Sequence, residues 1–167
     1  MAVKFLGTGF YVPEKILTND DLTKMVDTSD EWIIQRVGVK ERHISIDQTT
    51  ADLAEKAAVQ ALENAGIKAE DLDLIVTATV TPDNLCPSTA ALVQKAIGAT
   101  CPAFDISSAC SGFMFALETA VSYIMRGGIK YALVIGAERL SKFVDWHDRS
   151  TCVIFGDGAG AAVIAPG

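Results

Sequence analysis

Cys110 is the residue in this sequence best placed to do covalent chemistry. It follows the apolar run Ala103-Phe-Asp-Ile-Ser, which reads as a strand, and it stands where a long apolar helix begins. A thiol at a helix N-terminus faces unpaired N–H groups and the positive end of the helix dipole, and both favour the thiolate. A strand-to-helix turn also presents its side chain outward, as a nucleophile elbow does for serine. The neighbours Ser107, Ser108, Ala109, Ser111 and Gly112 are small and leave room for a substrate. These features point to nucleophilic catalysis. The competing state is a buried, inert cysteine, which is common for this residue type.

The other candidates are weaker on their own residues. Cys86 and Cys101 each precede a proline, which makes them loop or strand-edge positions, and Cys152 lies in an apolar run read as strand; packing is the reading for all three. Trp32 and Arg36 are four apart, so on a helix they share a face. An indole beside a guanidinium makes a stacking and anion-binding surface suited to a nucleotide. On spacing alone, a Trp covering a core edge beside a solvated Arg fits better. His147, among the charges of Val144-Asp-Trp-His-Asp-Arg-Ser, reads as solvated rather than as a general base. Gly156-Asp-Gly-Ala-Gly-Ala matches GxGxxA, but Val163-Ile-Ala-Pro-Gly follows where a dinucleotide site needs a helix. A tight β-turn or close backbone approach accounts better for these glycines. The cysteines form no CxxC pair, and His43 and His147 lie outside any ligand pattern, so no metal site is expected.

The elements that must position these residues are legible in outline. Val3–Thr8 reads as a buried strand that ends at Gly7 and Gly9. A polar stretch to about Thr50 holds two short helices. Thr18 with Asp21 caps one; Thr28 with Glu31 makes a capping box for the other, which runs to about Val37 and stops at Gly38. Thr49 and Asp52 open a helix whose residues Leu53, Ala54, Ala57, Ala58, Ala61, Leu62 and Ala65 share one face, and Gly66 ends it. Leu72–Val80, Cys101–Ser107 and Tyr131–Gly136 read as strands. Ser88–Ile97 and Cys110–Arg126 read as helices stopped by Gly98 and by Gly127 and Gly128. Residues 138–150 look irregular or partly helical, and Thr151–Phe155 and Ala161–Ala165 read as a final pair of strands. The order is β-α-β-α-β-α-β-β, and near-continuous apolar strands alternating with helices predict a mostly parallel α/β sheet. The helix after Cys110 is apolar nearly all round, which predicts cover on several sides from a second layer; the alternative is that its small Ala and Ser positions mark a wet side.

Composition narrows the class. The chain has 167 residues, 50% of them hydrophobic, with 14 basic and 21 acidic residues and a net charge of −7. Length and hydrophobic fraction fit one globular domain and exclude a disordered tail. The charge argues against general nucleic-acid binding and against docking on anionic membrane. No apolar run is long enough to span a bilayer, and the start lacks the order of a secretory signal, so a reducing cytoplasmic setting with free thiols is expected.

Several segments resemble one family. Asp27-Thr-Ser-Asp-Glu-Trp-Ile-Ile-Gln-Arg-Val-Gly-Val is similar to the N-terminal signature of β-ketoacyl-acyl-carrier-protein synthase III, of the thiolase superfamily. Thr81-Pro-Asp followed by Pro87-Ser fits the same family. Asp105-Ile-Ser-Ser-Ala-Cys-Ser-Gly-Phe resembles its nucleophile motif, and Phe155-Gly-Asp-Gly-Ala-Gly-Ala its glycine turn. The likeness runs through the whole chain in order.

The resemblance implies a thiolase-like fold of two similar halves. Residues 1–167 would be the N-terminal half, with an insertion at about 10–50 carrying coenzyme A contacts and with the C-terminal half absent. It implies that Cys110 takes an acyl group, typically acetyl, from acyl-CoA and then undergoes decarboxylative condensation with malonyl-acyl-carrier protein. Trp32 and Arg149 match positions that sandwich the CoA adenine; Thr28 and Arg36 match positions near the nucleotide and its phosphates. Leu140 and Phe155 match apolar positions of the acyl channel. Cys86 stands where the family often has Phe, which in a homodimer reaches the partner's acyl pocket; the smaller side chain would admit a larger primer. Acyl-CoA is a substrate, so no cofactor is implied. The family's catalytic His and Asn, and one oxyanion-hole donor, belong to the second half. This chain alone is therefore expected not to condense. The alternatives are a non-catalytic half that needs a complementary chain, and a cysteine-dependent acyl-CoA thioesterase or transferase.

Overall fold

Strand β1 (Val3–Tyr11) runs through Gly7 and Gly9 rather than ending at them. The glycines serve packing. A Cβ on Gly9 would lie 2.3 Å from the Ala57 carbonyl oxygen, and one on Gly7 would lie 2.3 Å from the Ala65 nitrogen, both in helix α3 (Thr50–Ala65). The helix therefore rests directly on the strand backbone. Its own contact face is Ala54, Ala57, Ala58 and Ala61, all fully buried, so two smooth surfaces meet. The computed structural model describes residues 2–167.

Between β1 and α3 the chain makes a small subdomain. Strands β2 (Lys15–Thr18) and β3 (Glu41–Ile44) pair antiparallel and enclose helices α1 (Asn19–Leu22) and α2 (Asp30–Arg36). This hairpin was not expected in a stretch read as polar and irregular. Thr18 and Asp21 do form a capping box on α1. For α2, however, the cap is Ser29, whose hydroxyl accepts from the Trp32 amide at 3.1 Å, and not Thr28. The Glu31 side chain turns instead to Gln35. Leu22 and Ile33 meet Cys152 and Val153 in a separate apolar cluster.

The main sheet has the order β1-β7-β6-β4-β5. Its remaining strands are β4 (Leu74–Ala78), β5 (Ala103–Ile106), β6 (Ala132–Arg139) and β7 (Asp157–Pro166). β4 pairs parallel with β5 and β6, while β7 pairs antiparallel with both β6 and β1, so four of the five strands share one direction. Alternation splits each strand between two cores. Ile75, Leu133, Ile135 and Val163 face α3 and α4 (Thr89–Ile97); Leu74, Val76, Val134 and Ile164 face α5 (Gly112–Arg126). Ser88 caps α4 and left-handed Gly98 ends it, as Thr49, Asp52 and Gly66 frame α3.

Two expectations fail here. Residues 151–155 are not a strand: Arg149–Cys152 form a short helix, α6, whose cap Asp148 accepts from the Ser150 amide at 2.9 Å, and Cys152 is buried on it. The apolar run looked like strand because the Val153-Ile-Phe segment packs inward through Val153 without pairing. The run Gly156–Gly160 is not a turn either; from Asp157 it is strand β7. Close approach does explain its first glycine, since a Cβ on Gly156 would lie 3.0 Å from the Arg42 Cβ.

Helix α5 answers the question of its second layer from the inside out. The small residues Gly112, Ala116 and Ala120, with Ile124, face the sheet. Met114 and Phe115 are 62% and 53% exposed. Small residues thus bring the helix close to the strands, and large apolar ones point to solvent, which is the reverse of a wet side marked by Ala.

Candidate active site

Cys110 lies on the 3-10 turn Ala109–Ser111, between β5 and α5, and its side chain is exposed. The turn is sharp: Ala109 has φ +46°, a left-handed conformation that disfavours a residue with a Cβ. Such strain beside a nucleophile is the elbow geometry, which lifts the thiol clear of the backbone. One difference from the sequence reading matters. The cysteine precedes the helix by a turn and is not its first residue, so it faces the cleft and not only the helix end.

That cleft holds about 320 Å³. Its walls are Cys110, Phe113, Ala78 at the end of β4, Gly136 to Glu138 on β6, and Gly158 to Gly160 on β7. It lies at the carboxyl ends of the parallel strands, where α/β sheets place ligands. Glu138 is braced rather than free: its carboxylate accepts from the Val80 amide at 2.9 Å and from the Thr81 hydroxyl at 2.6 Å. Asp105 on β5 accepts from the Thr89 and Ala90 amides, each at 2.7 Å, and so fixes α4 against the strand that leads to Cys110. Neither carboxylate was singled out in the sequence. The available signal was an acid inside an otherwise apolar strand, which must find donors.

A second cluster forms on the subdomain. Trp32 is half-buried on α2, and two guanidinium groups lie over its ring, Arg36 at 5.7 Å and Arg149 at 5.0 Å from the centroid. Arg149 also donates to the Asp27 carbonyl at 2.9 Å. Asp148, which caps the helix of Arg149, has its pKa held below the ordinary carboxylate value, first by the Ser150 hydroxyl. Thr28 adjoins this cluster in sequence; its hydroxyl is buried without a hydrogen-bond partner. The structure thus brings Trp32, Arg36 and Arg149 together, across more than a hundred residues.

The three predicted channel residues are not gathered at Cys110. Leu140 and Phe155 are half-buried and flank the paired ends of β6 and β7, where Arg139 lies opposite Asp157, but neither lines the cleft. Cys86 is exposed on the loop between β4 and α4. Cys101 and Cys152 are buried, and burial pushes both thiols up from their ordinary pKa. His147 is exposed, and its ring lies 3.5 Å from Asp145, away from the cleft; His43 bonds the Pro13 carbonyl. Among the described residues, no group of three His, Cys, Asp or Glu is placed to hold a metal ion, and no helix is long and apolar enough to cross a membrane.

The five-stranded sheet, its two helical faces and the cysteine-bearing elbow define a thiolase-like α/β unit. Residues 104–167 match the family model of 3-oxoacyl-[acyl-carrier-protein] synthase III. The β-ketoacyl-[acyl-carrier-protein] synthase III of Clostridium acetobutylicum is 57% identical over 167 residues, covering 99% of this chain and 51% of that protein. The crystal structure of 3-oxoacyl-[acyl-carrier-protein] synthase III from Aquifex aeolicus superposes with a TM-score of 0.97 at 55% identity, over 99% of this chain and 54% of that one. Its counterpart from Pseudomonas aeruginosa superposes at 0.94 with 44% identity, over 100% and 52%. The chain is similar over nearly its whole length to β-ketoacyl-acyl-carrier-protein synthase III proteins, and it spans about half the length of the curated relatives it matches.

Proposed function

We propose that this chain carries the nucleophile and the acyl-CoA contacts of a condensing enzyme that initiates fatty acid synthesis. The observation that supports this best is Cys110, exposed on a strained elbow over a cleft at the strand ends. The thiolate sulfur attacks the thioester carbonyl of acetyl-CoA. The tetrahedral intermediate collapses, the bond to the CoA sulfur breaks, and CoA leaves as its thiol with the proton that Cys110 gave up. An acetyl thioester remains on Cys110. Malonyl-acyl-carrier protein then loses CO2, its carbanion attacks the acetyl carbon, and the bond to Cys110 breaks to give 3-ketoacyl-carrier protein.

Trp32 and Arg149 hold the adenine in this reading, Arg36 meets the phosphates, and Thr28 adjoins the nucleotide. Cys86, Leu140 and Phe155 lie outside the cleft at Cys110, so in this reading they border the acyl path only beyond it, with Cys86 acting on the partner of a homodimer. The cytoplasm is the setting, and acyl-CoA enters as a substrate rather than a resident cofactor. Decarboxylation needs groups that polarise the malonyl thioester, and neither His43 nor His147 is at the cleft. We therefore assign that work to a second thiolase-like half. The apolar hollow lined by Phe5, Phe113 and Ala162, and the exposure of Met114 and Phe115 on α5, support its packing on this chain. The test is product analysis with acetyl-CoA and malonyl-acyl-carrier protein. Residues 1–167 alone are expected to give no 3-ketoacyl product, and addition of the second half restores it. Hydrolysis of acetyl-CoA without malonyl-carrier protein would point to a thioesterase instead.

A further inference from the structure

Arg42 on β3 is 4% exposed and has no carboxylate within ion-pair distance among the described residues. A buried cation without an acid is costly to keep. Its guanidinium is satisfied by three neutral acceptors on two separate segments: the Leu17 carbonyl at 3.3 Å and Asn19 Oδ1 at 2.9 Å on one, and the Val153 carbonyl at 3.0 Å on the other, while its Nε is buried without a partner. Asn19, itself 2% exposed, donates its amide to Asp30 Oδ1 at 2.8 Å and to the Val39 carbonyl at 2.9 Å. Asp30 opens α2, which carries Trp32 and Arg36; Val153 caps the end of α6, which carries Arg149.

A path of hydrogen bonds therefore runs from α2 through Asp30, Asn19 and Arg42 to the end of α6. The Trp32–Arg149 pair closes it on the other side. Apolar packing of Leu22, Ile33 and Val153 holds the two helices together, but such contact is non-directional and does not fix their relative angle. The Arg42 guanidinium adds direction, because it bonds the end of α6 directly and reaches α2 through Asn19 and Asp30. Gly156 supplies the room, since any Cβ there would press on Arg42.

We propose that Arg42 is a positioning residue that sets the spacing between the Trp32 indole and the Arg149 guanidinium, and so the affinity for the nucleotide end of acyl-CoA. This rests on the reading of that pair as the nucleotide site. The experiment compares Cys110 acylation by acetyl-CoA with acylation by S-acetylpantetheine, which lacks the nucleotide, in the natural protein that carries this chain. In Arg42→Lys the rate with subsaturating acetyl-CoA is expected to fall about 10-fold to 100-fold, the scale set by misplacing a binding group by an ångström. The rate with S-acetylpantetheine stays unchanged, which also shows that the fold and the thiol are intact. Arg42→Gln, which keeps two donors without the charge, should behave alike. A ratio of the two rates equal to wild type, or a parallel fall in both, overturns the proposal. If the wild type and Trp32→Ala show the same ratio, the nucleotide reading itself fails, and the role of Arg42 falls with it.

Discussion

The guanidinium of Arg149 lies over the indole of Trp32, its carbon 5.0 Å from the ring centroid. A planar base between the two needs roughly 7 Å, twice an aromatic contact distance of about 3.5 Å. On the proposed function, the Arg149 side chain rotates outward when the nucleotide enters, while Arg42 keeps the helix that carries it in place. Trp32→Ala is then expected to raise KM for acetyl-CoA by the ~1–3 kcal/mol that one base–aromatic stack contributes, with kcat nearly unchanged. Steady-state kinetics checks it; an unmoved KM would remove Trp32 from the site.

The four cysteines divide cleanly. Cys86 and Cys110 are exposed, whereas Cys101 and Cys152 are buried with thiol pKa values pushed up by burial. Iodoacetamide at neutral pH is expected to label the first two in the folded protein and the other two only after denaturation. Peptide mass mapping reads the result. Rapid labelling of Cys152 would contradict its placement on α6.

Gly9 has no room for a side chain, because the backbone of α3 lies where a Cβ would be. Gly9→Ala is expected to lower stability by ~3 kcal/mol, the upper part of the usual range for overpacking, since helix and strand must separate. Chemical denaturation measures it. A change below about 0.5 kcal/mol, the size of an ordinary surface substitution, would show that α3 is not seated on β1.

Asp21 has its pKa lowered to about 2, first by the Lys24 ammonium and then by the Thr18 hydroxyl and amide. A carboxylate whose pKa is depressed on folding stabilises the native state above its unfolded value, 3.8 here, and that contribution disappears as pH falls towards the folded value. The α1 cap is therefore expected to be intact above about pH 4 and lost between there and about pH 2. Carboxyl NMR titration of Asp21 should give a midpoint near 2. A midpoint at the ordinary aspartate value would contradict the capping box.

Legibility followed the range of the signal. The limits of α3 and α4 were written locally, in Thr49 with Asp52, in Ser88, and in Gly66 and Gly98. Cys110 stood out because its small neighbours and flanking elements are contiguous in sequence. The β2–β3 hairpin was missed because each strand is four residues long and its partner lies beyond two helices. Thr28 with Glu31 reads as the cap of α2, but the cap is Ser29, and a shift of one residue along the chain is decided by the fold and not by the local pattern. Gly7 and Gly9 read as strand ends because their true partner, α3, is some fifty residues away. Arg42 gave no local sign at all. Its acceptors come from Leu17, Asn19 and Val153, and an arginine in a short polar stretch reads as solvated.

On the proposed function, Cys110 receives the acyl group from CoA. The most direct test is to incubate the natural protein with acetyl-CoA in the absence of malonyl-carrier protein and map the modified peptide by mass spectrometry. One acetyl group is expected on the peptide containing Cys110, released by hydroxylamine as a thioester must be, and absent from Cys110→Ala. Acetylation at Cys86, or none at Cys110 in a protein that still binds CoA, would contradict it.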